Sequence, residues 1–461
     1  MAYNFYQCNR NQTYLLPPSL KEWLPEGDLA WFVLDAVGQM DLAVFYERYR
    51  EDGVGQRAYD PGMMVSLLVY AYSVGVRSSR KIEKLCERDV GFRVVTANKA
   101  PDHSTISRFR QENSGELERM FTEVLRLCAA AGMVKVGVVA LDGSKMKANA
   151  ALEANRTCEH IREEVRKILR EAEEVDAAED KAYGEGVRGD ELPEDLRGRD
   201  SRLKRLKECK ERLEREAADE AARLREKIEV RAAEEEESGR KKRGRKPKAL
   251  EEASSPGEKA NVTDPESRIM KTRAGYVQGY NGQVVVTKGQ VIVAAEVTTE
   301  ANDVKQLGPM VKKAQENVAA VTGKEKKIKK VLADAGYASE ENFASADPEG
   351  PEYLVATKKD WKQRKVMREK PTPRGRIPSG LSLRERMERK LLTKRGRALY
   401  KKRGQMVEPV FGQIKSVRGI GGFMRRGLEA CAQEWKLICA THNLLKLWRS
   451  GKGIPALTAA Y

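Results

Sequence analysis

The chain has 461 residues, with 86 Lys and Arg against 69 Asp and Glu and a formal charge of +17. That excess favours a polyanionic partner, and the lack of a long apolar segment puts nucleic acid ahead of a membrane. Seven cysteines without a CxxC pairing and only three histidines argue against a zinc site and for reduced thiols; no charged n-region with an apolar h-region opens the chain, so a cytoplasmic protein is expected.

The length suits two to four domains. Residues 1–130 read as an all-α domain, because 30–37, 41–50, 61–75, 79–85 and 116–130 carry apolar residues at helical spacing. Within it, PDHSTISRFRQ opens a helix at Ser104 and Thr105 and sets Arg108 and Arg110 along it. That is the look of a helix-turn-helix-like element whose second helix meets DNA phosphates, against a plain packing helix with exposed arginines.

Residues 131–150 supply the first strand, an apolar run from Val136 to Leu141 that ends on Asp142 in VVALDGSKMKANA. An insertion follows over 151–237. Leu152 to Lys181 and Asp200 to Glu237 are rich in Glu, Lys, Arg and Ala, with apolar stripes at Ile161, Val165, Ile168 and Leu169 and at Leu203, Leu206, Leu213, Leu224 and Ile228. Two long helices fit, and YGEGVRGDELPEDLRG between them suits a reversal, giving a charged, coiled-coil-like α-hairpin about 45 Å long. Residues 238–262 are basic and then rich in Ser, Gly and Pro, a linker. Arg243 and Arg245 in its RGRKP core resemble an AT-hook, which would enter an A/T minor groove, against a nonspecific basic tether.

Residues 263–461 continue the core. VQGYNGQVVVTKGQVIVAAEV reads as two strands turned at Lys288 and Gly289, followed by a helix from Asp303 to Val321, with Asp303 a candidate fourth acid read first as a helix N-terminal residue. Next come a strand over Val331 to Ala333 that ends on Asp334, and a short strand in EYLVAT. Around Glu408, the apolar residues Met406, Val407, Val410, Phe411, Ile414 and Val417 recur at helical spacing. The apolar helix from Leu428 to Trp448 is expected on the catalytic core, with His442 and Asn443 structural.

A carboxylate just past a buried strand is held rigidly and has little reason to be there unless a cation needs it. Two strand-end aspartates, Asp142 and Asp334, and one helical glutamate, Glu408, can hold two Mg²⁺ ions about 3.5–4 Å apart, one activating a water or hydroxyl and one steadying a leaving oxygen. The element order matches an α/β, ribonuclease-H-like catalytic core with a mixed sheet, interrupted by the helical hairpin and preceded by the all-α domain.

The motifs around these acids resemble the DDE transposases of bacterial insertion sequences, in particular the group with LDG, ADAGY and VEPVFGQIK motifs. The resemblance runs from DPGMMVSLLVYAYSVGVRSSRKIEKLCERD and PDHSTISRFR, through DPESRIMKTRAGYVQGYNGQVVV, to EWKLICATHNLLKLW. It implies that Asp142, Asp334 and Glu408 are the catalytic, metal-binding acids, with Mn²⁺ as a substitute for Mg²⁺. The family's tyrosine, arginine, glutamate and lysine signature maps onto Tyr400, Arg403, Glu408 and Lys415, with four residues between Arg403 and Glu408 where the commonly described pattern has three. Lys415, seven residues after Glu408, is expected on the same helix face, where a cation meets DNA phosphate.

The implied activity is hydrolysis of a phosphodiester at the transposon ends and attack of the freed 3′ hydroxyl on target DNA. The partners are then double-stranded terminal repeats and target DNA, with at least a homodimer on DNA, near the bacterial nucleoid. The competing reading is an inactive, transposase-derived DNA-binding protein, while a coiled-coil structural protein accounts for the insertion alone and a plain nuclease for the fold alone.

Overall fold

A computed structural model describes residues 19–49, 57–168, 170, 194–238, 259–272, 274–323, 326–345 and 350–455. It divides into two units, one of Lys135–Lys436 and one of Met1–Val134 with Leu437–Tyr461.

The second unit is helical, as its apolar periodicity predicts. Its central helix, Pro61–Ser73, is buried on nearly every side, with Met64, Val65, Leu67 and Leu68 in the core. Pro61 stands at the first helical turn, where its missing N–H is no loss, and the Asp60 side chain accepts from the Met63 N–H. Asp28, Asp89 and Asp102 cap the helices Leu29–Gly38, Val90–Val95 and His103–Glu112 in the same way. The cap of the last of these therefore lies at Asp102, which accepts from the Ser104 and Thr105 N–H groups. Residues from Leu437 onward group with these helices: Trp448 Nε1 donates to Gly27 O at 3.0 Å, and Cys128 Sγ lies 3.7 Å from Asn443 O. The helix Leu428–Arg449 thus does not group as a whole with the sheet; His442 and Asn443 are buried.

The first unit is built on a mixed sheet. Strand β1 (Val138–Lys147) is central, β2 (Asn155–Thr157) and β3 (Lys259–Asn261) form a separate pair, and β4 (Arg268–Thr272), β5 (Gly275–Thr287), β6 (Ile292–Thr298), β7 (Lys330–Ala333) and β8 (Glu352–Val355) complete the main sheet. β1 runs antiparallel to β5 and parallel to β7, which runs parallel to β8; β4 and β6 both pair antiparallel with β5. Read across, the order is β6-β5-β1-β7-β8. The runs Val139–Leu141, Val284–Val286 and Val331–Ala333 are all buried, as strands covered on both faces require. An α/β chain with a mixed sheet and a helical N-terminal region is what the sequence predicts.

The turn after β5 takes its positive φ at Gln290 and not at Gly289. Residues 152–157, expected in a helix, instead form a short 3-10 turn and β2, which pairs with β3 through Asn155↔Asn261. Ordered strand thus replaces the end of the expected linker. A helix follows over 158–168, and a longer one spans Glu194–Ser238. Cys158, Ile161 and Val165 pack against Leu206, Cys209 and Leu213, and Arg162 pairs with Glu214 at 2.8 Å while Glu164 pairs with Arg202. Those pairings run in opposite senses along the two helices. The expected reversal around Pro193 lies outside the described residues, as do Arg243 and Arg245.

Candidate active site

The pairing Val138↔Lys330 and Ala140↔Leu332 carries β1 and β7 upward in step. Two residues further on in each, on the same face because side chains alternate, stand Asp142 and Asp334. Neighbouring strands lie roughly 4.8 Å apart, so the fold sets two carboxylates side by side where β7 ends and β1 runs on, paired with β5; the first strand therefore does not stop at Asp142 as its apolar run suggests. Asp334 Oδ1 accepts from the Gly336 N–H at 2.8 Å, and Asp142 Oδ1 accepts from its neighbour Gly143 N–H at 2.9 Å.

Arg403 covers the pair. Only 7% exposed, it comes from the helix Lys402–Gly412, which packs Met406, Val407 and Val410 inward, and its Nη1 donates to Asp142 Oδ2 at 2.8 Å. Burial pushes the Asp142 carboxyl up to about 6, the guanidinium opposes that shift, and the Asp334 charge adds to it. Burial raises Asp334 too, again opposed by Arg403. Arg403 itself is held more firmly charged: burial works against its charge, but the two aspartates outweigh it. Tyr400 is buried beside it, and burial raises its hydroxyl to about 12.

Asp303 is the residue that sequence reasoning undervalued. It precedes a 3-10 turn, Val304–Gln306, without capping it. Its Oδ1 instead accepts from Asn281 Nδ2 and Gln283 Nε2, each at 2.7 Å, with Lys145 Nζ at 3.7 Å, and its charge helps raise Asp334. Tyr337 donates to Gln283 Oε1 from the turn that follows Asp334. The available signal was the pair of amides in NGQVVV, next to the apolar run Val284–Val286, since Asn281 and Gln283 are fully buried and must find polar partners.

Other expected site residues fall elsewhere. Glu408 is not brought to the aspartates: its side chain is 68% exposed, with Arg364 Nη2 3.7 Å away. Lys415 does not share its face. The chain turns π-helical over Gln413–Val417, the wider turn breaks the seven-residue register, and Lys415 Nζ donates to Lys145 O at 2.6 Å. In the helical unit Arg108 is exposed, whereas Arg110 donates to Arg77 O at 2.7 Å and Ser79 Oγ at 3.0 Å, bonds that tie His103–Glu112 to neighbouring structure.

Next to Arg403 opens a cavity of about 520 Å³, lined by Tyr400 and by the cations Arg364, Arg368, Arg397 and Lys401. Asp142 and Asp334 fit a hard divalent cation: they offer only oxygen donors, lie adjacent, and already draw a cationic side chain. Among the described residues, no three His, Cys, Asp or Glu side chains gather closely enough to hold a metal ion, and Glu408 lies beside Arg364 instead. The six described cysteines are buried and unbridged, and no described helix is long and apolar enough to cross a membrane.

Two carboxylates level on adjacent parallel strands, one of them paired with a buried arginine that also lines a cation-rich cavity, define the site of this α/β protein. Two family models match the chain, a transposase domain (DUF772) over residues 18–112 and a transposase DDE domain over residues 255–444. Together they support an insertion-sequence DDE transposase, a family that acts on DNA in transposition and generally uses divalent metal ions. The second match spans Asp334 and Glu408 and begins after Asp142 and the helices that follow it. No curated protein and no solved structure matches the chain significantly.

Proposed function

We propose that the protein binds the terminal repeats of its insertion sequence, hydrolyses a phosphodiester at each end, and joins the freed 3′ hydroxyl to target DNA. The observation that carries this reading is the level placement of Asp142 and Asp334 on adjacent parallel strands, with Arg403, bonded to Asp142, also lining an arginine-rich cavity. The strand order β6-β5-β1-β7-β8, with its antiparallel and parallel halves, supports a ribonuclease-H-like core, and the paired helices 158–168 and Glu194–Ser238 support a helical insertion between β1 and β4.

In this reading Asp142 and Asp334 hold the divalent cations, two Mg²⁺ with Mn²⁺ as a substitute, and Glu408 completes the set. Bound there, such ions supply Lewis acidity to the attacking and leaving oxygens of an in-line displacement. The rest of the work falls to the chain. The β-sheet fixes the two carboxylates, the network of Asp303, Asn281 and Gln283 braces β5 beside Asp142, and Arg364, Arg368, Arg397 and Lys401 offer charge to DNA phosphates. No protein nucleophile is required. Arg108 offers the helical unit a phosphate contact, and a homodimer on DNA would bring two ends together.

The reading as an inactive DNA-binding descendant has one observation in its favour, the outward position of Glu408. Cleavage of a labelled duplex carrying the element's own ends, with Mg²⁺ or Mn²⁺, separates the two. Metal-dependent nicking at the ends that Asp334→Ala loses supports the transposase; binding without cleavage, equal in both proteins, would leave only the DNA-binding protein.

A further inference from the structure

Arg403 and Glu408 sit on one helix, five residues apart, which places them about 140° from each other around its axis. An orientation that aims one at the aspartates turns the other away. Here Arg403 is inside, 2.8 Å from Asp142, and Glu408 is outside beside Arg364, whose Nε lies 2.7 Å from Asp360 Oδ2. The need for a cation is physical, because two half-buried carboxylates level on adjacent strands repel and are poorly solvated. The guanidinium meets that need from within the chain. The backbone around it is suited to rearrangement: Pro409 removes one helical hydrogen bond, and the next turn, Gln413–Val417, is already π-helical.

On the reading of Asp142 and Asp334 as metal-holding acids, we propose that Arg403 is the resident counter-cation of the metal-free site and that Arg364 is a positioning residue holding Glu408 outside it. Loading with a divalent cation exchanges Arg403 for Glu408 at the aspartates. A divalent cation and the guanidinium compete for the same oxygens, and the release of Glu408 from Arg364 supplies the third carboxylate.

The test is Mn²⁺ binding to the full-length protein without DNA, read by the loss of the free-ion electron paramagnetic resonance signal, in the native chain, Asp334→Asn, Arg403→Gln and Arg364→Ala. Melting temperatures in EDTA and in Mn²⁺ accompany it. Asp334→Asn is expected to lose binding, and both arginine variants to bind at least several-fold more tightly than the native chain. Arg403→Gln should also melt lower than the native chain in EDTA and recover in Mn²⁺, a rescue that a merely structural arginine would not show.

Unchanged affinity in both arginine variants, with binding lost in Asp334→Asn, would overturn the exchange and leave the acid pair standing as a metal site. Binding that survives Asp334→Asn would overturn the acid-pair reading itself. Binding by none of the four proteins would overturn the exchange. Should Arg403→Gln fail to fold, Arg364→Ala decides alone, since Arg364 is 55% exposed on its own helix, Asp360–Glu369.

Discussion

Asp142 and Asp334 stand level on neighbouring parallel strands, two residues past the last paired positions, Ala140 and Leu332. The burial this imposes raises the Asp142 carboxyl from its ordinary 3.8 to about 6. A raised acid binds more protons in the folded chain than in the unfolded one, so it favours the fold at low pH. Its contribution, on the order of 2–3 kcal/mol, is lost as pH rises from about 4 through about 6. Urea unfolding of the metal-free protein across that range should show this slope, and Asp142→Asn should flatten it. Divalent-cation binding has the opposite sign, because it needs the carboxylates ionised: it should weaken as pH falls through about 6.

Asp142→Asn and Asp334→Asn should each lower end cleavage by at least about a hundredfold while leaving end-DNA affinity within a few-fold, since the change removes charge and keeps shape. Gel-shift and nicking assays on one preparation separate the two quantities. Equal loss of both would locate these acids in DNA binding or folding.

Asp303→Ala should destabilise the sheet unit by roughly 1–3 kcal/mol, because it strands the buried Asn281 and Gln283 amides that now donate to it. It should also reduce cleavage through the strand it braces. Denaturant midpoints give the first effect; a fully active, equally stable variant would show that the network is incidental.

Trp435 is fully buried, donates to Gln283 O at 3.1 Å, stacks near Phe411 and lies over Gly282. A Cβ on Gly282 would stand 3.1 Å from the indole. Trp435→Ala should therefore cost about 3–5 kcal/mol, measured by denaturant unfolding.

Arg110→Ala should lower the stability of the helical unit by roughly 1–3 kcal/mol, since its guanidinium satisfies Arg77 O and Ser79. Arg108→Ala, on an exposed side chain, should leave the melting temperature in place and weaken DNA binding with a shallower salt dependence. Melting and titrations at two salt concentrations distinguish these two neighbours.

The sequence by itself determined the buried strand runs and the two acids that follow them. A valine-rich run that stops at an aspartate and small residues is a local signal, and Val331–Ala333 with Asp334 folds as it predicts, whereas β1 runs on through Asp142 to Lys147 because Asp142 and the residues after it pair with β5. Only the tertiary structure decided which side chains meet those acids. Helical periodicity marks Met406, Val407 and Val410 as the buried stripe of Lys402–Gly412, but it cannot say that Arg403 at the stripe's edge aims at Asp142 while Glu408 points outward. Lys415 left its expected face because a π-helical turn over Gln413–Val417 changes the register. Asp303 looked like a helix start because a cap is a local pattern, whereas its partners, Asn281 and Gln283, lie about twenty residues earlier and reach it only through the folded sheet.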